Sequence, residues 1–232
     1  ASRLSHEPLS LKFWPPRYEG KGNRLYGAHL LANLATQAVY LGHSQDAARL
    51  AEAAIDGAGR APAAVRARLY TTAASAYGRS GERRACQKAL AKAERALDRT
   101  DAGSGPRWAA YLSAGHFAGT AVRCLSDLRL YRQALRHAPG AVTLANQNAR
   151  TRALHTALIA TTHARAGDVD AACDWGRELE EHVHAVRSAR VTHRVRELAA
   201  TLSPYRAKSE VNELLVALGF TCAQLTRDNI RT

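Results

Sequence analysis

The segment Tyr40-Leu41-Gly42-His43-Ser44-Gln45-Asp46-Ala47 decides the fold. Upstream of it, from Asn23 onward, apolar and small residues recur every three or four positions, the periodicity of an amphipathic helix. The same periodicity resumes directly after it, so Gly42 marks a tight turn between two helices. A small residue, Ala47, stands five places beyond that glycine. Gly81 with Cys86 and Gly167 with Ala172 repeat the arrangement, and Arg129 with Ala134 fits it with Arg where glycine is expected. Successive turns lie 39, 48 and 38 residues apart. Helical-pair repeats have periods of roughly 34–47 residues.

The register extends in both directions. Seven places before the turns stand Ala35, Ala74, Val122 and Ala160, and twelve places after them Ala54, Ala93, Ala141 and Leu179. Close approach of two helices needs small side chains at the contact, which gives part of the 48 alanines a purpose. Alanine is also a poor strand former. Further breaks fall at Gly57–Gly59, Asp101–Pro106, Pro139–Gly140, Ser188 and Pro204. Helices of mostly 12–20 residues joined by short turns make antiparallel neighbours. The expected fold is all-α: about nine or ten helices in antiparallel pairs, stacked as a right-handed solenoid. Its register looks like the tetratricopeptide repeat. Residues 1–22, with Lys12-Phe13-Trp14-Pro15-Pro16-Arg17, read as an irregular arm whose Phe13 and Trp14 pack on the first helix. Residues 23–187 read as four helix pairs, 188–218 as capping helices (Val191–Leu202, then Ser209–Leu218) and 219–232 as a tail.

Composition narrows the function classes. No stretch approaches 18 apolar residues, so a transmembrane helix is excluded, and no signal-like apolar segment opens the chain. Methionine is absent, position 1 included, and a piece of a longer product is expected. Cys86, Cys124, Cys173 and Cys222 form no CxxC pair; the first three sit on helical patterns as core residues, which suits a cytoplasmic protein. The net charge of +13 comes from 28 Arg and 5 Lys against 20 acids. A basic balance fits a nucleic acid, an anionic membrane or an acidic ligand, and the excess of Arg over Lys also fits a drift in composition from high-GC coding. The basic residues are spread rather than clustered, which weakens the nucleic-acid case.

Four segments carry a resemblance: Gly27–His43 (GAHLLANLATQAVYLGH), Trp108-Ala109-Ala110-Tyr111, Arg187-Ser188-Ala189-Arg190-Val191 and Leu202-Ser203-Pro204-Tyr205-Arg206. In order and spacing they resemble the C-terminal repeat region of lambda-repressor-type (XRE-like) helix-turn-helix regulators of high-GC Gram-positive bacteria, over about residues 23–218. The resemblance implies the sensor or effector-binding part of a transcriptional regulator. It implies a homodimer as one possible assembly, and DNA contact only through a helix-turn-helix domain that this chain lacks. Two departures stand out. Residues 1–22 are too short and too proline-rich for a helix-turn-helix, and they stand where the family has a preceding repeat helix.

In helical-pair arrays the first helix of each pair lines the concave face. Carrying the repeat register onto this chain gives groove candidates: His29, Asn33 and Thr36; Arg68, Thr72, Ser75 and Arg79; His116, Thr120 and Arg123; Thr161 and Arg165. Their Arg and Asn donors suit a carboxylate or phosphate. The partner expected is therefore a peptide or an anionic small-molecule effector; the bland alternative is a solvated helix face. Trp108 and Tyr111, three apart, read as packing residues, with a gate at one end of the groove as the other possibility. No cofactor or metal is expected, since His182 and His184 point apart on a helix and no HExxH occurs. No GxSxG elbow, GxGxxG or phosphate loop is present, and Asp168 and Asp170 are explained as capping carboxylates. A non-enzymatic binding domain without membrane association is the reading. The alternatives are a protein–protein scaffold holding a peptide segment and, third, a basic nucleic-acid binder.

Overall fold

The computed structural model describes residues 21–100, 105–109, 111–143, 149–183 and 186–220, all of which belong to helices or the turns between them. Residues 1–20 of the expected 1–22 arm, the greater part of the 219–232 tail, and Cys222 lie outside the described residues, while residues 21–22 open the first helix instead of ending the arm. The helices are α1 (Lys21–Tyr40), α2 (Ser44–Ala58), α3 (Ala63–Ser80), α4 (Arg83–Leu97), α5 (Ala114–Asp127), α6 (Tyr131–Leu135), α7 (Ala138–Thr143), α8 (Ala149–Arg165), α9 (Val169–Val183), α10 (Ala189–Leu202) and α11 (Ser209–Ala217). They pair as α1/α2, α3/α4, α5/α6–α7 and α8/α9, with α10 and α11 following.

The four repeat turns share one backbone device. Gly42, Gly81, Arg129 and Gly167 have φ of +84°, +81°, +57° and +87°. The next residue's N–H reaches back to the carbonyl five places earlier: His43 to Ala38 at 2.9 Å, Glu82 to Tyr77 at 2.9 Å, Leu130 to Leu125 at 2.8 Å and Asp168 to His163 at 3.0 Å. This is the Schellman closure, in which a left-handed residue ends the helix and pairs its orphan carbonyls. Arg129 adopts the glycine conformation without being glycine, because the repeat demands it there. Gly219, at φ +85°, ends α11 the same way.

All twelve register residues are completely buried. Ala35, Ala74, Val122, Ala160, Ala47, Cys86, Ala134, Ala172, Ala54, Ala93, Ala141 and Leu179 each show 0% exposure. Small residues at these contacts let the helix axes close up, and the larger Ile159, Phe117 and Leu125 fill the space beside them in one core running from α1 to α8. A second core joins α8, α9, α10 and α11 around Leu179, Val191, Leu198 and Leu215. Cys86, Cys124 and Cys173 are buried free thiols within these cores.

The helix number exceeds the expected nine or ten because the third pair is split. The break falls at Arg136–His137, before Pro139 rather than at Pro139–Gly140. Pro139 occupies the first turn of α7, where a missing N–H costs nothing, so it opens a short helix instead of closing one. On the outer side of α1, Tyr26, Leu30 and Leu34 are exposed, a row at helical spacing.

Candidate functional site

The first helices of the pairs lie side by side, and their shared face holds a cavity of about 290 Å³. Its walls are Thr36, Val39 and Tyr40 of α1; Arg68, Thr71, Thr72 and Ser75 of α3; His116, Gly119, Thr120 and Arg123 of α5; and Leu154, His155 and Leu158 of α8. Tyr111 and Leu112, from the link before α5, close one end, and Arg190 and Arg194 of α10 close the other. The lining carries four guanidinium groups and no carboxylate.

Arg68 is the focus. Its guanidinium lies in a residue only 6% exposed. It donates to the Asn33 Oδ1 at 2.5 Å and to the Tyr111 hydroxyl oxygen, with Nε left unpaired. The Arg68 guanidinium lies 5.1 Å from the Tyr111 ring centre. Both hydrogen-bond partners are neutral, so a buried cation has no carboxylate against it among the described residues. Burial accordingly pushes the Arg68 pKa below its ordinary value. Such a charge is costly unless something negative compensates it. Asn33 passes the contact on: its Nδ2 donates to His29 Nε2 at 3.2 Å, and the His29 ring stacks on Trp108 with centroids 4.4 Å apart. Burial, and then the charge of Arg68, hold His29 below the usual histidine range.

At the other end, Arg123 donates to Ser75 Oγ at 2.7 Å. Arg190 lies 4.4 Å from the centre of the Tyr40 ring and Arg123 6.0 Å from it, so Tyr40 sits between two cations. These arginines differ in their backing. Arg194 pairs with Glu197, which also takes Arg165 at 2.7 Å. Although burial acts to raise Glu197, these two arginines hold it below its ordinary value. Asp127 lies behind Arg123; burial raises its pKa in spite of Arg123, Arg79 and Arg194.

His155 is held by Ala141, whose carbonyl accepts from Nδ1 at 2.7 Å. Only the Nδ1–H tautomer makes that bond, leaving Nε2 with a lone pair when the ring is neutral. The ring occupies the space where a side chain on residue 119 would stand: a Cβ there would lie 2.2 Å from His155 Nε2. Gly119 therefore makes room for His155. Burial lowers the His155 pKa foremost, partly offset by the Ala141 bond. His116, bound to Ser113 Oγ at 3.1 Å through Nδ1, is lowered by burial and then by His155.

Seven of the expected groove residues meet in this cavity: Thr36, Arg68, Thr72, Ser75, His116, Thr120 and Arg123. His29 and Asn33 stand behind Arg68 rather than in the lining. Arg79 and Arg165 do not join them. Both sit in the last turn of their helices, where Arg79 reaches Asp127 at 3.7 Å and Arg165 reaches Glu197. Thr161 is buried and bonds its own helix, to the Ala157 carbonyl at 2.7 Å. Trp108 packs on His29, whereas Tyr111 is 51% exposed and lines the cavity. The register missed Tyr40, Thr71, His155, Arg190 and Arg194. A glycine inside an amphipathic helix, Gly119, was the available sign of a bulky neighbour, and Arg190 with Arg194 at i,i+4 was the sign of a cationic face on α10.

No protein-family model and no curated protein sequence matches the chain. Solved structures do. The nearly identical TPR-like repeats of a kinesin-light-chain-like protein from Podosopora anserina are 15% identical and superpose with a TM-score of 0.59, covering 90% of this chain and 99% of that one. A point variant of the same repeats, also 15% identical, gives 0.58 over 89% and 99%. The fold is that of TPR-like helical repeats. Among the described residues no helix is long and apolar enough to cross a membrane, and no three His, Cys, Asp or Glu side chains gather as a metal site.

Proposed function

We propose that the chain is a non-enzymatic binding module whose concave cavity takes an anionic small-molecule effector, and that it serves as the sensor part of a transcriptional regulator. The buried Arg68 guanidinium, held only by neutral partners and facing a lining without carboxylates, carries this reading. The cavity is suited to binding rather than chemistry: burial lowers His116 and His155, each is held through Nδ1 by its own partner, and no nucleophile among the described residues has a base and an orienting acid beside it. The family resemblance of residues 23–218 supplies the regulatory context, with DNA contacted through a helix-turn-helix domain outside these residues. The cavity joins α1 to α10 through Tyr40 and Arg190. An anion bound to both ends would favour the curvature that joins α1 to α10, and a population shift of that kind would reposition an attached domain or a dimer partner.

The test is a thermal-shift panel of phosphate, citrate, acetate and short peptides with free or amidated C-termini. Stabilisation by anions that is lost in Arg68→Met supports the reading. Equal stabilisation of Arg68→Met, or none by any anion, overturns it. TPR-like repeats also suit a protein–protein scaffold; stabilisation by the amidated peptide as strong as by the free one would favour that alternative. Retention of the chain on DNA at about 150 mM salt would favour the nucleic-acid reading.

A further inference from the structure

The hydroxyl groups of the cavity share an orientation. Thr36 donates its proton to the Ala32 carbonyl at 2.8 Å, Thr71 to Ala67 at 2.7 Å, Thr72 to Arg68 at 3.1 Å, and Thr120 to His116 at 3.0 Å. Each proton is spent on the residue's own helix, which leaves oxygen lone pairs as what these side chains offer a ligand. The cavity therefore has two kinds of polar wall: donors from guanidinium and phenol groups, and acceptors from threonine.

The donors exceed what one carboxylate needs. Arg123 and Arg194 have Asp127 and Glu197 behind them, whereas Arg68 and Arg190 have no carboxylate among the described residues. Both line the same cavity, Arg68 buried and Arg190 exposed at its edge. They come from α3 and α10, and the Tyr111 hydroxyl, whose oxygen accepts from Arg68, carries a proton of its own that a ligand oxygen can accept. Donors converging from several directions match a tetrahedral oxyanion better than a planar, singly charged carboxylate. The volume of about 290 Å³ lies at the lower end of small-molecule sites, which run to roughly 300–1,000 Å³.

Resting on the anion-binding reading above, we infer that the ligand class is a phosphate monoester of a small polyhydroxylated compound, its phosphate between Arg68 and Arg190 and its hydroxyls donating to the threonine oxygens.

The test is isothermal titration calorimetry of the full chain at pH 7 with glucose 6-phosphate, inorganic phosphate, glucose and gluconate. Glucose 6-phosphate is expected to bind at least about tenfold more tightly than each of the other three. Arg190→Gln, at an exposed residue whose loss leaves the core intact, should weaken glucose 6-phosphate about tenfold. Thr72→Val should weaken glucose 6-phosphate while leaving inorganic phosphate within about twofold. Gluconate binding as tightly as glucose 6-phosphate overturns the phosphate assignment and leaves a general anion site standing. Glucose 6-phosphate no better than inorganic phosphate, or unaffected by Thr72→Val, overturns the polyhydroxyl assignment. Failure of all four probes overturns the inference, and the wider anion panel then decides whether the anion-binding reading falls with it.

Discussion

Replacing Gly119 by alanine sets two effects against each other. Inside an exposed helix the change is favourable by about 1 kcal/mol, because alanine restricts the unfolded chain and suits the helix. In this fold the new methyl would stand 2.2 Å from Nε2, 2.4 Å from Cε1 and 2.9 Å from Cδ2 of His155. The imidazole cannot yield by bending a tip; it has to rotate away and release the 2.7 Å bond to Ala141. Forcing a methyl into packed space costs about 1–3 kcal/mol, and the lost hydrogen bond adds about 1 kcal/mol. The net expectation is destabilisation by about 1–3 kcal/mol. Urea unfolding followed by far-ultraviolet circular dichroism measures it. Repeating the substitution in a His155→Ala background removes the obstacle, so there Gly119→Ala should stabilise by about 1 kcal/mol. A stabilising Gly119→Ala with His155 present would refute the placement of the imidazole over α5.

Arg129→Gly should raise stability by about 0.5–1 kcal/mol, since an L-residue pays roughly 1–2 kcal/mol in the left-handed conformation and glycine gives back part of that as chain entropy; urea midpoints compare the two. Burial, first among the causes, holds His29, His116, His137 and His155 below 6.5 in the fold. Their contribution to stability is fully present above the unfolded value and falls as the pH drops below 6.5 towards the folded values. The urea midpoint should therefore be lower at pH 5.5 than at pH 7.5, with a smaller difference in His155→Asn. Arg79→Ala should leave phosphate-probe affinity within about twofold, because Arg79 lies outside the cavity, its exposed side chain 3.7 Å from Asp127; a tenfold loss would place Arg79 in the site.

The repeat register is legible in the sequence because helix pairing is a local constraint. A turn residue at positive φ and small residues at fixed distances from it, such as Ala35, Ala47 and Ala54 around Gly42, are written in sequence spacing alone. Much of the concave face follows from the same register, which is why Thr36, Arg68, Ser75 and Arg123 converge. What the register does not contain is the path of the chain over long separations. Arg190 stands 150 positions after Tyr40 in the chain, and only the accumulated curvature of the array brings the two together. Nor does the register show where a groove ends, so Arg79 and Arg165 share its phase while lying beyond the cavity. Pro139 was ambiguous for a different reason: proline both stops a helix and starts one, and the preceding chain decides which.

The most direct measurement is anomalous diffraction from crystals grown without sulfate or phosphate and soaked in tungstate, a heavy tetrahedral dianion. The strongest anomalous peak is expected inside the cavity, within hydrogen-bond reach of Arg68 and Arg190. Tungstate bound only at other surface arginines, with the space between those two residues empty, would contradict an anion site on the concave face.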